Sequence, residues 1–382
     1  MIDLKNMSVL VVDDMKSMRL TIMKMLKHLK LGKDLRTASD CKEAMSILKK
    51  DNVDLLILDW KLPNMNGSEL LDQIRKDEAL KYLPVIMVTA ESEKDIVLEV
   101  AEIQVDGYLL KPLTLESLDG KIRSVVEKAN NPDQGTLYFR KAKELEKSGD
   151  FQEAVKYIKL ALEEKPNASR LLRTMGLLYM KLGDKDSAEQ FIRKAVAANE
   201  YDAEARYVLA QIYRARDELT KAARYHIDVL SLTGKYLDEA IKLGEKLLQK
   251  GHRTPAVKLF SKIISKSERS MPAKERVVEL CMENKEFEYA KEILESMIKE
   301  FPSKYDLIMK AGYVYKELSE NDKALDYFQV VDKYQGHRIQ PKLEIVKILI
   351  EKEQIFKADE YLTRILQKDP ENKEALRLRK MV

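Results

Sequence analysis

Through residues 1–129, short uninterrupted apolar runs alternate with stretches whose apolar positions recur every three or four residues. The uninterrupted runs predict strands at Ser8–Val12, Leu35–Ala38, Leu55–Leu58, Val85–Val88 and Gly107–Leu110. The periodic stretches predict helices near 17–30, 41–50, 68–76, 93–103 and 115–129. A strand without polar alternation is buried on both faces, so five strand–helix units in a row predict a doubly wound α/β domain around a five-stranded parallel sheet. The segment Asn130-Asn131-Pro132-Asp133 then stops the last helix. Proline cannot continue it, and Asp133 is placed to cap the next one. The first domain is therefore 1–129, with a linker at 130–134.

Beyond residue 135 no strand pattern remains, and a strict repeat takes over. Ala154, Ala188, Ala222, Ala256, Ala290, Ala324 and Ala358 are each 34 residues apart. Apolar columns accompany them four residues later, from Ile158 to Leu362, and nine residues earlier, from Leu145 to Leu349. Offsets of three, four and seven inside a unit, and one constant offset between units, describe stacked helical hairpins. Alanine suits the place where two helices cross closely, since a larger side chain would push them apart. The third unit departs from the pattern, with His226 in an apolar column and Gly234 where Pro166, Pro302 and Pro370 stand in other units.

Composition narrows the functional classes. Lys and Arg number 68 against 64 Asp and Glu. The excess is too small and too dispersed for a surface that tracks nucleic-acid phosphates. Cys41 and Cys281 stand far apart, and with four histidines in the chain no zinc-ligand spacing arises. Apolar runs fall short of membrane-spanning length, and the first residues do not read as a signal peptide, so a cytoplasmic protein without membrane insertion is expected.

Candidate chemistry gathers at the strand ends. Asp13 and Asp14 follow the first predicted strand, Asp59 the third, Thr89 the fourth and Lys111 the fifth. Ligands of open α/β sheets bind outside the carboxyl ends of the strands. Three carboxylates converging there need a cation to offset their repulsion, and an all-oxygen set suits Mg²⁺. A carboxylate so held can attack phosphorus when a metal and an ammonium neutralise the equatorial oxygens. In this reading Lys111 supplies the ammonium and Thr89 a hydroxyl donor.

These residues, with Lys111-Pro112 and the run Asp59-Trp60-Lys61-Leu62-Pro63-Asn64-Met65-Asn66-Gly67, resemble the CheY-like receiver domain of bacterial two-component response regulators, a flavodoxin-like fold. The resemblance implies phosphoryl transfer to Asp59 from a sensor histidine kinase or phosphotransfer protein. It implies Mg²⁺ held by Asp14, Asp59 and the Lys61 backbone carbonyl, with Asp13 acting through a metal-bound water. Tyr108 matches the aromatic that turns inward when Thr89 moves, and Lys61 and Glu91 flank the site. Trp60 beside Asp59 reads as a loop aromatic or a surface contact.

The repeats resemble tetratricopeptide repeats, seven units over 135–372, with Lys373–Val382 as a capping helix. That resemblance implies a groove lined by the first helix of each unit, at Phe139, Arg173, Tyr207, Ile241, Met309 and Tyr313, with Phe139, Tyr207 and Met309 exposed to a protein partner. The expected whole is a response regulator whose repeat output binds partners under phosphorylation control, with no separate output enzyme and with a homodimer among its expected states. The competing readings are a regulator or phosphoryl acceptor acting back on its own kinase, and a constitutive scaffold with an inactive receiver.

Overall fold

The computed structural model describes residues 1–62, 67–90, 105–266 and 271–382. Five parallel strands, β1 (Ser8–Val12), β2 (Asp34–Ala38), β3 (Leu55–Asp59), β4 (Val85–Thr89) and β5 (Gly107–Leu110), form one sheet in the order β2-β1-β3-β4-β5. β1 pairs with both β2 and β3, aligning Val12 with Ala38 and with Leu58. Alternate strand residues feed two separate apolar layers. Leu10, Val12, Leu56, Leu58 and Met87 pack under the helices Cys41–Lys50 and Gly67–Lys76, while Val9, Val11, Leu55, Ile57 and Val88 pack under Lys16–His28 and Leu115–Asn130. This is why the strands read as unbroken apolar runs: both faces are covered. The helix expected at 93–103 lies outside the described residues.

Trp60 is not a surface aromatic. It is 5% exposed and packs in the first of those layers. Its backbone N–H donates to the Val88 carbonyl at 2.9 Å, which prolongs strand pairing past Asp59 and turns the indole into the core.

From Asp133 onward the described chain is helical. Asp133 accepts the Thr136 N–H at 2.8 Å and so caps the helix Gln134–Ser148, which pairs with Phe151–Glu164. Six further pairs follow, the last being Gln340–Glu351 with Ile355–Lys368, and Lys373–Arg379 ends the array. All seven alanines of the 34-residue column are fully buried. Glycine faces the bulkiest residues of the neighbouring column. A Cβ on Gly312 would lie 2.5 Å from the Phe328 ring, so the helices meet there only because one side chain is missing. Among the described residues no helix is long and apolar enough to cross a membrane.

The chain divides into two compact units, Met1–Thr233 and Gly234–Val382. The α/β domain thus shares its unit with three helix pairs. The division falls at Gly234, where the 34-residue pattern is broken.

A second periodic column was not evident from residue type. Gly149, Gly183, Asp217, Gly251, Lys285, Ser319 and Glu353 all have φ between 57° and 84°. Each stands between the two helices of its unit, five residues before the alanine. The N–H of the following residue reaches back to the first helix, as in Asp150 to the Leu145 carbonyl at 2.9 Å and Glu320 to the Tyr315 carbonyl at 2.9 Å. This is a left-handed helix stop repeated in every unit. Only three of the seven positions are glycine, and at the other four, Asp217, Lys285, Ser319 and Glu353, a side chain bears the left-handed strain.

His226 has neither ring nitrogen hydrogen-bonded and is fully buried, with Tyr207 edge-on to its ring at 5.6 Å. Burial, with Arg214 adding repulsion, pushes its pKa down to about 4.

Two outcomes follow from these positions. Lys285→Gly, Ser319→Gly and Glu353→Gly should each raise the stability of the repeats in urea by up to about 1 kcal/mol, since glycine enters the left-handed region without a Cβ clash. His226 takes up a proton far more readily when unfolded, so stability should fall as pH drops below about 6.5, by about 3 kcal/mol once pH reaches about 4. His226→Leu should flatten that pH dependence in chemical-denaturation curves.

Candidate functional site

The carboxyl ends of β1, β3, β4 and β5 open on one side of the sheet. β1 ends at Val12 and leads straight into Asp13 and Asp14, Asp59 is the last residue of β3, Thr89 the last of β4, and Lys111 follows β5. Lys111 is carried there by its own N–H, which donates to the Thr89 carbonyl at 2.7 Å, and the Lys111–Pro112 bond is cis.

Carboxylate oxygens of Asp13, Asp14 and Asp59 lie within 4.8 Å of one another. Asp13 is 1% exposed and Asp59 6%, whereas Asp14 opens to solvent. One ammonium serves the two buried acids: Lys111 Nζ is 2.9 Å from Asp13 Oδ2 and 3.1 Å from Asp59 Oδ2. Burial pushes the Asp59 carboxyl up to about 6, with Lys111 pulling it down and Asp13 pushing it further up. Burial works against the Lys111 ammonium, but its hydrogen bond to Asp13 and the charge of Asp59 outweigh this and lift it above the usual lysine range. The cluster is thus short of positive charge.

Asp13 is engaged at both oxygens, since Oδ1 also accepts the Met15 N–H at 2.8 Å. Arg19, which sequence reasoning did not single out, donates to the carbonyls of Asp13 at 2.6 Å and Asp14 at 3.1 Å. It sits in the first turns of the helix after the acidic pair, a placement that carries meaning only once the turn is folded. Gly67 is needed for a different reason. Its N–H donates to the Trp60 carbonyl at 2.9 Å, and a Cβ there would stand 2.2 Å from the Asp59 carbonyl oxygen. Only glycine lets this helix begin against the end of β3.

Thr89 is 4% exposed and borders the cluster. Lys61 is exposed two residues after Asp59. Tyr108 points outward, 43% exposed, with Lys121 Nζ 5.5 Å from its ring. Glu91 and Pro63–Asn66 lie outside the described residues.

In the repeats, the expected exposure of the groove aromatics does not hold. Phe139 is 9% and Met309 8% exposed, and Tyr207 is half-buried against His226. Phe139 lies beneath the Arg170 guanidinium at 4.2 Å, and Met309 joins an apolar cluster with Leu343 and Val346. The physical reason is that the next unit's first helix packs over this position. Arg173 is buried by its ion pairs with Asp202 and with Glu204 at 3.0 Å, Ile241 is 8% exposed, and Tyr313 is half-buried, edge-on to Phe328 at 5.4 Å. The large apolar side chains most open to solvent in the second unit, apart from the chain end, are Tyr334 and Phe356, which no column had marked.

The response regulator receiver domain family matches residues 9–123, and the tetratricopeptide repeat family matches residues 145–212. Over 124 residues the chain is 40% identical to chemotaxis protein CheY-3 of Vibrio cholerae, an alignment covering 32% of this chain and 95% of that protein. Over 124 residues it is 41% identical to chemotaxis protein CheY of Pseudomonas aeruginosa, covering 32% of this chain and 99% of that protein. Among solved structures, the chemotaxis response regulator CheY4 of Vibrio cholerae is 29% identical with a TM-score of 0.30, covering 31% of this chain and 98% of its own. The match spans nearly the full length of the two chemotaxis relatives and coincides with the domain that carries the acidic cluster. The chain belongs to the response-regulator family, with a CheY-like receiver domain at its N-terminus and tetratricopeptide repeats downstream.

Proposed function

We propose that Asp59 accepts a phosphoryl group from a sensor histidine kinase or phosphotransfer protein, and that the repeats bind a protein partner under control of that event. The observation that carries this reading is the shared ammonium: Lys111 reaches Asp13 and Asp59 at once and holds the Asp59 carboxylate within the acidic cluster. A carboxylate oxygen of Asp59 attacks the phosphorus, and the bond from phosphorus to the donor imidazole nitrogen breaks in the same displacement. Lys111 then exchanges its contact with the free carboxylate for one with a phosphoryl oxygen, and the Thr89 hydroxyl donates to another. Hydrolysis of the resulting acyl phosphate by water returns the carboxylate.

The donor set fits Mg²⁺. Three carboxylates offering oxygens within 4.8 Å face a single ammonium, and hard divalent ions take such ligands. Asp14, Asp59 and the Lys61 carbonyl would hold the ion, and Asp13, already bonded to Lys111 and Met15, would act through a water. The ion supplies charge neutralisation for the incoming phosphoryl oxygens. Tyr108 is the reporter of the switch: it is outward here, beside Lys121, and moves inward as Thr89 shifts.

Control of the repeats requires that the two receiver states make different contacts with them. The receiver shares a compact unit with the first three helix pairs, and the linker after Asn130 is short. The Glu78 carboxylate pairs with Lys147 at 2.8 Å, and Arg140 covers the Tyr82 ring at 4.5 Å. A movement of the receiver therefore reaches the first repeat directly.

Mg²⁺ should stabilise the intact protein, by about 2.7 kcal/mol at a hundredfold excess over Kd, and so raise its melting temperature. Asp14→Asn should abolish most of that gain. With Mg²⁺ and acetyl phosphate, intact-protein mass spectrometry should show one base-labile phosphoryl adduct, absent in Asp59→Asn. An adduct that persisted in that variant would sink the assignment. Beryllofluoride should change the affinity for proteins captured by the full chain, and equal capture with and without it would separate a working receiver from a coupled one.

A further inference from the structure

The cavity between the receiver and the first two repeats, inside the first compact unit, has a volume of about 510 Å³. It borders the segments that precede β4 and β5, at the opposite end of the sheet from Asp59. Seven lysines and arginines line it against three acids. Each acid is already shared. Glu78 pairs with Lys81 at 2.9 Å and Lys147 at 2.8 Å, and Glu146 with Lys143 at 2.7 Å and Lys181 at 2.9 Å. Asp106 accepts from Arg75 and from the Val85 N–H, both at 2.8 Å.

Two guanidiniums are left over. Arg140 lies 4.5 Å from the Tyr82 ring and Arg170 4.2 Å from the Phe139 ring; neither is in a salt bridge among the described residues, and Asp106 and Glu204 reach Arg170 only as charges at a distance. Arg173, one turn from Arg170, is consumed by Asp202 and Glu204. Burial, together with the charges of Arg173 and Arg75, pushes Arg170 down to about 10, although the carboxylates of Asp106 and Glu204 pull the other way. A cleft lined by an excess of one sign of charge attracts counter-ions.

We propose that this cavity binds a small diphosphate-bearing anion. A guanidinium presents a planar fork that matches phosphate oxygens two at a time. Arg140 and Arg170 enter from the first helices of two successive repeats, so one phosphate group serves one fork, and two linked groups serve both. The volume is in the range of small-molecule sites and exceeds what a lone phosphate fills. A ligand here touches the receiver and the repeats together and fastens one to the other. It is an input separate from Asp59.

The test is calorimetric titration of the full chain with inorganic pyrophosphate and with ADP at about 150 mM salt, where loose surface attraction is screened. Saturable binding is expected, weakened about tenfold or more in Arg140→Gln/Arg170→Gln, since each charged hydrogen-bonded contact is worth about 1.5 kcal/mol or more. Tighter binding of ADP would indicate a nucleotide source, and equal or tighter binding of pyrophosphate an inorganic one. Asp59→Asn should bind as the unaltered chain does, which keeps this result independent of the phosphoacceptor assignment. Arg140→Gln alone, a change on the exposed Tyr82 ring, serves if the Arg170 variant melts early. No saturation in the millimolar range, unchanged affinity in the folded variants, or tighter binding of citrate or an acidic peptide would overturn the proposal.

Discussion

One ammonium between two buried carboxylates organises the receiver. Lys111 lies within 3.1 Å of both Asp13 and Asp59, yet a single positive charge does not balance three clustered acids. Such an arrangement is poorly satisfied by itself: the unbalanced negative charge favours a divalent cation, which would offset it. The surrounding structure exists to hold this imbalance in place. Arg19 ties down the acidic turn, the Thr89 carbonyl positions Lys111, and Gly67 allows a helix to begin against the end of β3.

The repeats solve a different problem by the same economy of small residues. Seven buried alanines let paired helices approach, and Gly312 opposite Phe328 shows volume moving from one helix to the other with the sum conserved. The left-handed stop between helices recurs in every unit although glycine occupies only three of the seven positions. The residue preference for glycine is therefore secondary to the reverse of chain direction between the paired helices.

The receiver has two working ends. Its carboxyl-end face carries the acidic cluster, and its amino-end face meets the first repeat through Glu78 and Tyr82. The sheet between them is packed on both sides by apolar layers. The acidic cluster and the contact with the repeats therefore do not share one surface.

The chain's own pattern determined a great deal. Unbroken apolar runs specified a covered parallel sheet, because a strand with no polar face has nowhere to lie but between helices. The 34-residue alanine column specified stacked hairpins, because close crossing demands a small side chain at a constant interval. The strand-end positions of Asp13, Asp59, Thr89 and Lys111 placed them on one side of the sheet, since all strands of a parallel sheet end together. Tertiary structure decided what depends on distance between segments remote in sequence. Trp60 turned inward because its backbone continues pairing with β4. Phe139 and Met309 were covered because the following unit packs over the first helix, which no single repeat reveals. Arg19, Gly67 and the surplus of Arg140 and Arg170 became meaningful only in the fold, because a charge or a missing side chain acts through what stands beside it.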